Sequence, residues 1–249
     1  FSAGITVASS TMGMIIPPSI PMVLYAVTAQ ESVGRLFLGG LIPGILVGLL
    51  QLLMTFWISL KKDYPKEDVG SSLGHLLRMT VRSSYILFMP FVVVGAVVLG
   101  IATATESAAI GVFYALIVGL FITHSLTLDK LKRSISSTIS TSAKIMIIIA
   151  FSKVFIWVLA FERVPEGIAE ILTGLGSEPM GMMFMIIIVI LIAGTFIDVS
   201  PAILLLTPVF LPSMVEMGVS PVLFGVILVV GLAVGACTPP VGNCLNVCS

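Results

Sequence analysis

The sequence predicts an all-α polytopic membrane protein, on three observations. Of 249 residues, 58% are hydrophobic and only 10% charged, with a mean hydropathy of +1.20; a soluble domain carries about 25% charged residues. Charge-free runs occupy 36–60, 83–105, 107–128, 179–197 and 217–249, each close to or beyond the ~20 helical residues that cross a hydrocarbon core. Glycine and proline interrupt several of these runs, above all at Pro17-Pro18 and Pro239-Pro240. The composition excludes a soluble globule, a disordered chain, a collagen and a disulfide scaffold. Twelve basic residues balance twelve acidic ones, so no nucleic-acid partner is expected. Cys237, Cys244 and Cys248 read as small reduced side chains, and His75 and His124 lie too far apart in sequence for a metal site. Phe1 is not a start methionine, and Val247-Cys248-Ser249 stops inside an apolar stretch. The expectation is a fragment of a longer membrane protein.

The elements follow in order. Residues 4–28 are an apolar segment interrupted by Gly13, Pro17-Pro18 and Pro21. A double proline removes two backbone donors, and in lipid such a break survives only inside protein or beside a cavity. Residues 33–60 are a span that starts at Arg35, ends before Lys61-Lys62, and carries Phe56 and Trp57 at the interface. The connection 61–83 holds Lys61, Lys62, Lys66, Arg78 and Arg82, which makes it cytoplasmic by charge; Leu73, Leu76, Leu77 and Val81 suggest an amphipathic helix on the membrane. Residues 84–122 are too long for one span, and Thr103-Ala104-Thr105-Glu106-Ser107 divides them into two helical pieces. Lys130, Lys132 and Arg133 put the next loop on the cytoplasmic side too, which requires an even number of crossings or a re-entrant hairpin in between. Residues 142–161 are a span containing Lys144 and Lys153, and 164–176 read as an interfacial helix and turn. Residues 180–212, with Gly194, Asp198, Pro201, Pro208 and Pro212, form a broken element that turns back on itself. Residues 219–249 are a last run broken at Thr238-Pro239-Pro240.

Two of these breaks match. In both Gly13-Met-Ile-Ile-Pro17-Pro18 and Gly235-Ala-Cys-Thr-Pro239-Pro240 a glycine stands four positions before a proline pair inside a long apolar segment. Gly/Pro-interrupted segments at corresponding positions of two halves point to a transporter binding site. Broken helices expose carbonyls that can hold Na⁺ and half-helix N-termini that favour anions. The alternative is a pair of ordinary proline kinks.

Ser10-Thr-Met-Gly-Met-Ile-Ile-Pro17-Pro18-Ser19-Ile-Pro-Met22 resembles a signature of the large membrane subunit of tripartite ATP-independent periplasmic (TRAP) transporters, the DctM-like family. Leu36–Gly44, Thr103–Ala109, Gly194–Asp198 and Cys237–Asn243 resemble further motifs of that family in the expected order, across the whole chain. The resemblance implies an elevator-type transporter of inverted repeats, each with a re-entrant hairpin and a broken helix. It implies Na⁺-driven uptake of an organic acid, of the C4-dicarboxylate or sialic-acid type, across the bacterial inner membrane. It also implies two partners, a periplasmic substrate-binding protein and a small four-helix membrane subunit, and no cofactor beyond Na⁺ as coupling ion. On this reading 1–32 is the broken helix of the first repeat and 33–83 a scaffold helix with a cytoplasmic linker. Residues 84–178 open the second repeat, 179–218 are its hairpin, and 219–249 its broken helix. The first hairpin is absent, so the fragment alone is not expected to transport.

The candidate residues cluster at the breaks. Ser9, Ser10, Gly13 and Pro17 offer hydroxyl and carbonyl oxygens to Na⁺, or else are small residues that let helices pack closely. Pro18 and Ser19 shape the turn, with Ser19 a candidate substrate contact. Asp198 is an ionisable residue in an apolar element and so a functional candidate. It would ligate Na⁺, hold the hairpin tip by accepting backbone N–H bonds, or simply reach water. Gly194, Thr195, Ser200 and Pro201 would form that tip, with Gly194 and Thr195 in the ion set. Gly235, Thr238, Pro239 and Gly242 are the second ion cradle, and Asn243 would bond substrate or restore a lost backbone bond. Glu106 would pair with Lys144 or Lys153, or cap the helix that follows it. One intramembrane Asp, no HExxH and no GxSxG leave no basis for a membrane-embedded protease. The remaining rivals are a sodium–anion symporter that works without a binding protein, and a channel or scaffold subunit.

Overall fold

The computed structural model describes residues 2–62, 73–164, 167 and 179–239. These residues are helical with no strand among them. By length and composition five stretches can cross a membrane: Gly4–Ala29, Val33–Lys61, Ala104–Ile122, Leu128–Phe161 and Val199–Glu216. The shorter apolar helices are Ser84–Val98, Met180–Phe196 and Pro221–Gly235. The chain divides into two compact units, 1–48 with 138–249, and 49–137.

The first unit is built around an apolar helix at its chain end. The first segment is three pieces, α1 (Ser2–Ser10), α2 (Met12–Ile15) and α3 (Ile20–Ala29). The chain is extended at Ile16 and the Pro17–Pro18 peptide is cis. The expected break therefore stands at the double proline. It is followed by α4 (Val33–Lys61), which continues through Pro43. Gly40, Gly44 and Gly48 are buried on one stripe of α4, and Met22, Ile16 and Met12 respectively fill the space a Cβ would take there. Helix spacing of four puts such small residues on one face, so the broken segment lies close against α4.

After α8 (Leu128–Phe161) come α9 (Pro179–Phe196), α10 (Val199–Glu216) and α11 (Pro221–Gly235). The predicted turn-back is a single break, at Ile197-Asp198; Pro208 and Pro212 lie inside α10 and do not end it. Gly218, at φ +78°, makes the second turn. Helix α11 is apolar all round, as a helix buried among others should be. Phe224, Leu228, Val229, Leu232 and Ala233 are buried, and α2, α3, α9 and α10 pack against it. Three of its glycines mark the closest approaches. Gly225 takes the ring of Tyr25, Gly231 takes Ile190, and Gly235 takes the backbone of Gly194. The Tyr25 ring also meets Phe224 edge-on at 6.3 Å, and its hydroxyl donates to the Pro221 carbonyl at 2.6 Å.

The second unit contains α5 (Leu73–Arg82), α6 (Ser84–Val98) and α7 (Ala104–Ile117), which runs into a five-residue π-turn at 118–122. Ser107 donates its hydroxyl to the Val93 carbonyl, and Tyr114 to that of Tyr85. Pairings 107–93 and 114–85 make α6 and α7 antiparallel, an arrangement common to a pair of crossings and to a re-entrant hairpin. At the end of α4, Lys61 Nζ stands 4.1 Å from the Trp57 ring centroid, a cation–π contact of the kind found at membrane interfaces.

One boundary differs from expectation. Lys130, Lys132 and Arg133 are not in a loop but in the first turns of α8 (Leu128–Phe161), a continuous helix of 34 residues. No glycine or proline occurs between 128 and 161, and a Ser/Thr-rich stretch does not by itself end a helix. Of the expected interfacial helix at 164–176 only 164 and 167 are among the described residues, and the linker residues 63–72 lie outside them.

Candidate functional site

The site is assembled where helices end. The last four carbonyls of an α-helix have no intrahelical donor and carry the negative end of the helix dipole. Three such ends meet. Cys237, two residues past the end of α11, donates its Sγ–H to the Val7 carbonyl of α1 at 3.5 Å, across 230 positions of sequence. A Cβ on Gly235 would lie 2.8 Å from Gly194 Cα, so the ends of α9 and α11 touch through bare backbone. Helix α11 also packs on α2, the piece that carries Gly13.

The hydroxyls at these ends share one behaviour. Ser9 donates to the Thr6 carbonyl at 3.0 Å and Ser10 to Val7 at 2.7 Å. Thr195 donates to Ile192 at 2.7 Å and Thr238 to Val234 at 2.9 Å. Each proton is spent on the residue's own helix, which leaves lone pairs on the oxygen as acceptors. A group of neutral oxygens with their protons turned away can ligate a hard monovalent cation. It offers little to a thiophilic metal.

The two readings of the small residues separate by position. A Cβ at Gly13 would meet nothing within 4 Å, so packing does not require glycine there. Gly194 and Gly235 are packing contacts, since no side chain fits between their backbones. Pro17 is buried and Pro18 exposed. Ser19 is a buried N-cap of α3: its oxygen accepts from the Met22 N–H at 3.3 Å, while its own proton goes back to the Met14 carbonyl of α2. It therefore ties the two sides of the break together.

Asp198 is exposed and is the N-cap of α10, where it accepts from the Val199 N–H at 3.0 Å. It sits at the turn that joins α9 to α10, four residues beyond Gly194; Ser200 and Pro201 follow in the first turn of α10. Glu106 caps the following helix. Its Oε2 accepts from the Thr103 N–H and hydroxyl, both at 2.8 Å, and its own N–H donates to Thr103 Oγ1 at 3.3 Å, the reciprocal capping box. Thr238 and Pro239 are exposed beyond α11. Gly242 and Asn243 lie outside the described residues.

The sequence reading passed over the Gly40-Gly44-Gly48 stripe and the contact from Cys237 to Val7. The first was visible as small residues at four-residue spacing. The second carried no sequence signal, because its partner is a backbone atom.

The family model described as tripartite ATP-independent periplasmic transporter, DctM component, matches residues 1–249. Among curated proteins, the isethionate TRAP transporter permease protein DctMQ of Oleidesulfovibrio alaskensis is 38% identical over 249 residues. That alignment covers 100% of this chain and 39% of the relative. The C4-dicarboxylate TRAP transporter large permease protein DctM of Pseudomonas aeruginosa is 36% identical, covering 100% of this chain and 58% of the relative. The sialic acid TRAP transporter large permease protein SiaM of Vibrio cholerae is 33% identical over 252 residues, with the same two shares. The chain thus spans between about two fifths and three fifths of the length of these relatives.

Proposed function

Because the chain belongs to the DctM component family of the tripartite ATP-independent periplasmic transporters, multi-pass permeases of the inner membrane, we propose that the whole protein drives uptake of an organic acid with the Na⁺ gradient. A periplasmic binding protein delivers the acid and a small membrane subunit completes the complex. The observation that carries the ion coupling is the meeting of three helix C-terminal ends, at Val7–Ser10, Gly194–Thr195 and Gly235–Thr238. Their carbonyls carry the negative ends of the helix dipoles, and these together with the hydroxyl lone pairs favour a cation. Na⁺ bound there draws on Ser9, Ser10, Gly13 and Pro17 at one break and on Gly235, Thr238, Pro239 and Gly242 at the other. Gly194, Thr195 and Asp198 contribute from the hairpin turn. Ion binding orders that turn, and the anionic substrate lies beside it, near Pro18, Ser19 and Asn243. The relatives' names support a small organic anion as cargo, among them isethionate, a C4-dicarboxylate and sialic acid.

The test is uptake of labelled organic acids into proteoliposomes that contain the full-length subunit and its small partner, with and without a Na⁺ gradient and the binding protein. Uptake that needs both supports the proposal. Uptake that needs Na⁺ alone makes the protein a symporter independent of a binding protein. Asp198→Ala and Thr238→Ala should each reduce uptake at least tenfold, about 1.4 kcal/mol of coupling. Wild-type Na⁺ dependence in either variant removes that residue from the site.

A further inference from the structure

Helix α10, the second arm of the hairpin, carries a polar feature that the ion site does not use. Among the described residues, Thr207 Oγ1 is the buried side-chain oxygen with no hydrogen-bond partner. Thr207 is 1% exposed, and it stands out because Ser9, Ser10, Thr11, Ser19, Tyr25, Thr28, Thr195 and Thr238 of the same unit each donate to a backbone carbonyl. The next residue is Pro208. Proline has no N–H, so the Leu204 carbonyl, four residues back, loses its helical donor. Pro212 does the same to the carbonyl of Pro208. Ile203, Leu204, Phe210 and Met214 are all buried around this turn, and α3, α9 and α11 pack against α10. A donor-capable hydroxyl and a donor-starved carbonyl therefore share one turn, sealed from bulk solvent.

We propose that Thr207 and the Leu204 carbonyl form a binding site for a single buried water molecule. Unsatisfied polar groups are costly in a membrane interior, and proline in spanning helices is tolerated where hydroxyls and ordered waters restore the lost bonds. A buried water needs two to four polar partners. Here it accepts from the Thr207 hydroxyl and donates one proton to the Leu204 carbonyl and the other to the Pro208 carbonyl one turn on. Water fits better than a cation, because one hydroxyl and two carbonyls are too few oxygens to replace a cation's hydration shell.

A thermal-unfolding cycle on the full-length protein in nanodiscs tests the site, using Thr207→Val, Pro208→Ala and the double variant in NaCl and in choline chloride. Valine has the shape of threonine without the hydroxyl. With a bridging water, Thr207→Val lowers Tm by about 2–5 °C. Alanine at 208 returns an N–H to the Leu204 carbonyl, so the same substitution in the Pro208→Ala background costs less than half as much. Thr207→Ser, which keeps the hydroxyl, loses less than valine does. A rise in Tm with Thr207→Val means a dry, unsatisfied hydroxyl and overturns the proposal. So does an equal loss in both backgrounds, or a serine as damaging as valine. A loss seen in NaCl and absent in choline chloride identifies a cation and overturns it as well.

Discussion

At the scale of single residues, the structure separates positions that sequence chemistry makes look alike. Gly13 and Gly235 stand at the same place in matching motifs, yet only Gly235 is held to glycine by its neighbour. A Cβ there would meet Gly194 Cα at 2.8 Å and the Leu191 carbonyl oxygen at 2.9 Å. Backbone atoms cannot rotate away, so Gly235→Ala should destabilise the protein by about 1–3 kcal/mol, the range for overpacking. Gly95→Ala, where a Cβ meets nothing within 4 Å, should leave Tm unchanged or raise it, since alanine is the better helix former. Thermal unfolding of the two variants side by side checks the contrast. Glu106 invites a similar comparison. An intramembrane-looking carboxylate suggests coupling, but its bonds to Thr103 are those of a helix cap. Glutamine serves equally in a capping box, so Glu106→Gln should keep both stability and Na⁺-dependent uptake, while Glu106→Ala lowers Tm. Loss of uptake in Glu106→Gln at unchanged Tm would show that the charge itself takes part in transport.

At the scale of elements, the broken helix is held in shape by a side chain rather than by proline alone. Ser19 caps α3 and returns its proton to the end of α2. Ser19→Ala removes both bonds and leaves a carbonyl unpaired, a loss of about 1–3 kcal/mol, seen as a lower Tm with or without Na⁺. If Ser19 serves substrate instead, Tm holds and the apparent affinity for substrate falls. The breaks themselves were legible in the sequence, because proline and glycine act locally: the first break and the 197–198 turn fall in the segments their composition marks. The continuous run of α8 was not. Basic residues at 130–133 suggest a loop by the charge rule, which locates a side of the membrane and not a helix end. Nor were the roles of Pro208 and Pro212 legible, since a proline inside a spanning helix reads the same whether it ends the helix or is carried through. The candidate site was legible as a list of residues and not as a set of contacts, because Val7 meets Cys237 and Gly194 meets Gly235 through backbone atoms that no residue type announces.

At the scale of the molecule, the candidate site joins the two extremes of the chain. Residues 7 and 237 touch, with α9, α10 and the second unit lying between them in sequence. A contact of such range is entropically costly to close, and it is made between helix termini, the negative ends of helix dipoles. Helix C-terminal ends carry partial negative charge and repel where they approach one another. A bound cation turns that repulsion into attraction, so it should order all three ends together rather than one at a time. Hydrogen exchange on the full-length protein reads this directly. In Na⁺, amides at 6–16, 192–198 and 232–239 should exchange more slowly than in K⁺ or choline at equal ionic strength, while α6 and α7 remain unchanged as an internal control. Thr238→Ala should weaken protection in all three segments, although it lies in only one, because binding free energy is shared by every group the ion holds. Protection confined to a single segment would mean separate, uncoupled ends, and the shared cradle would then give way to three ordinary helix termini packed for stability.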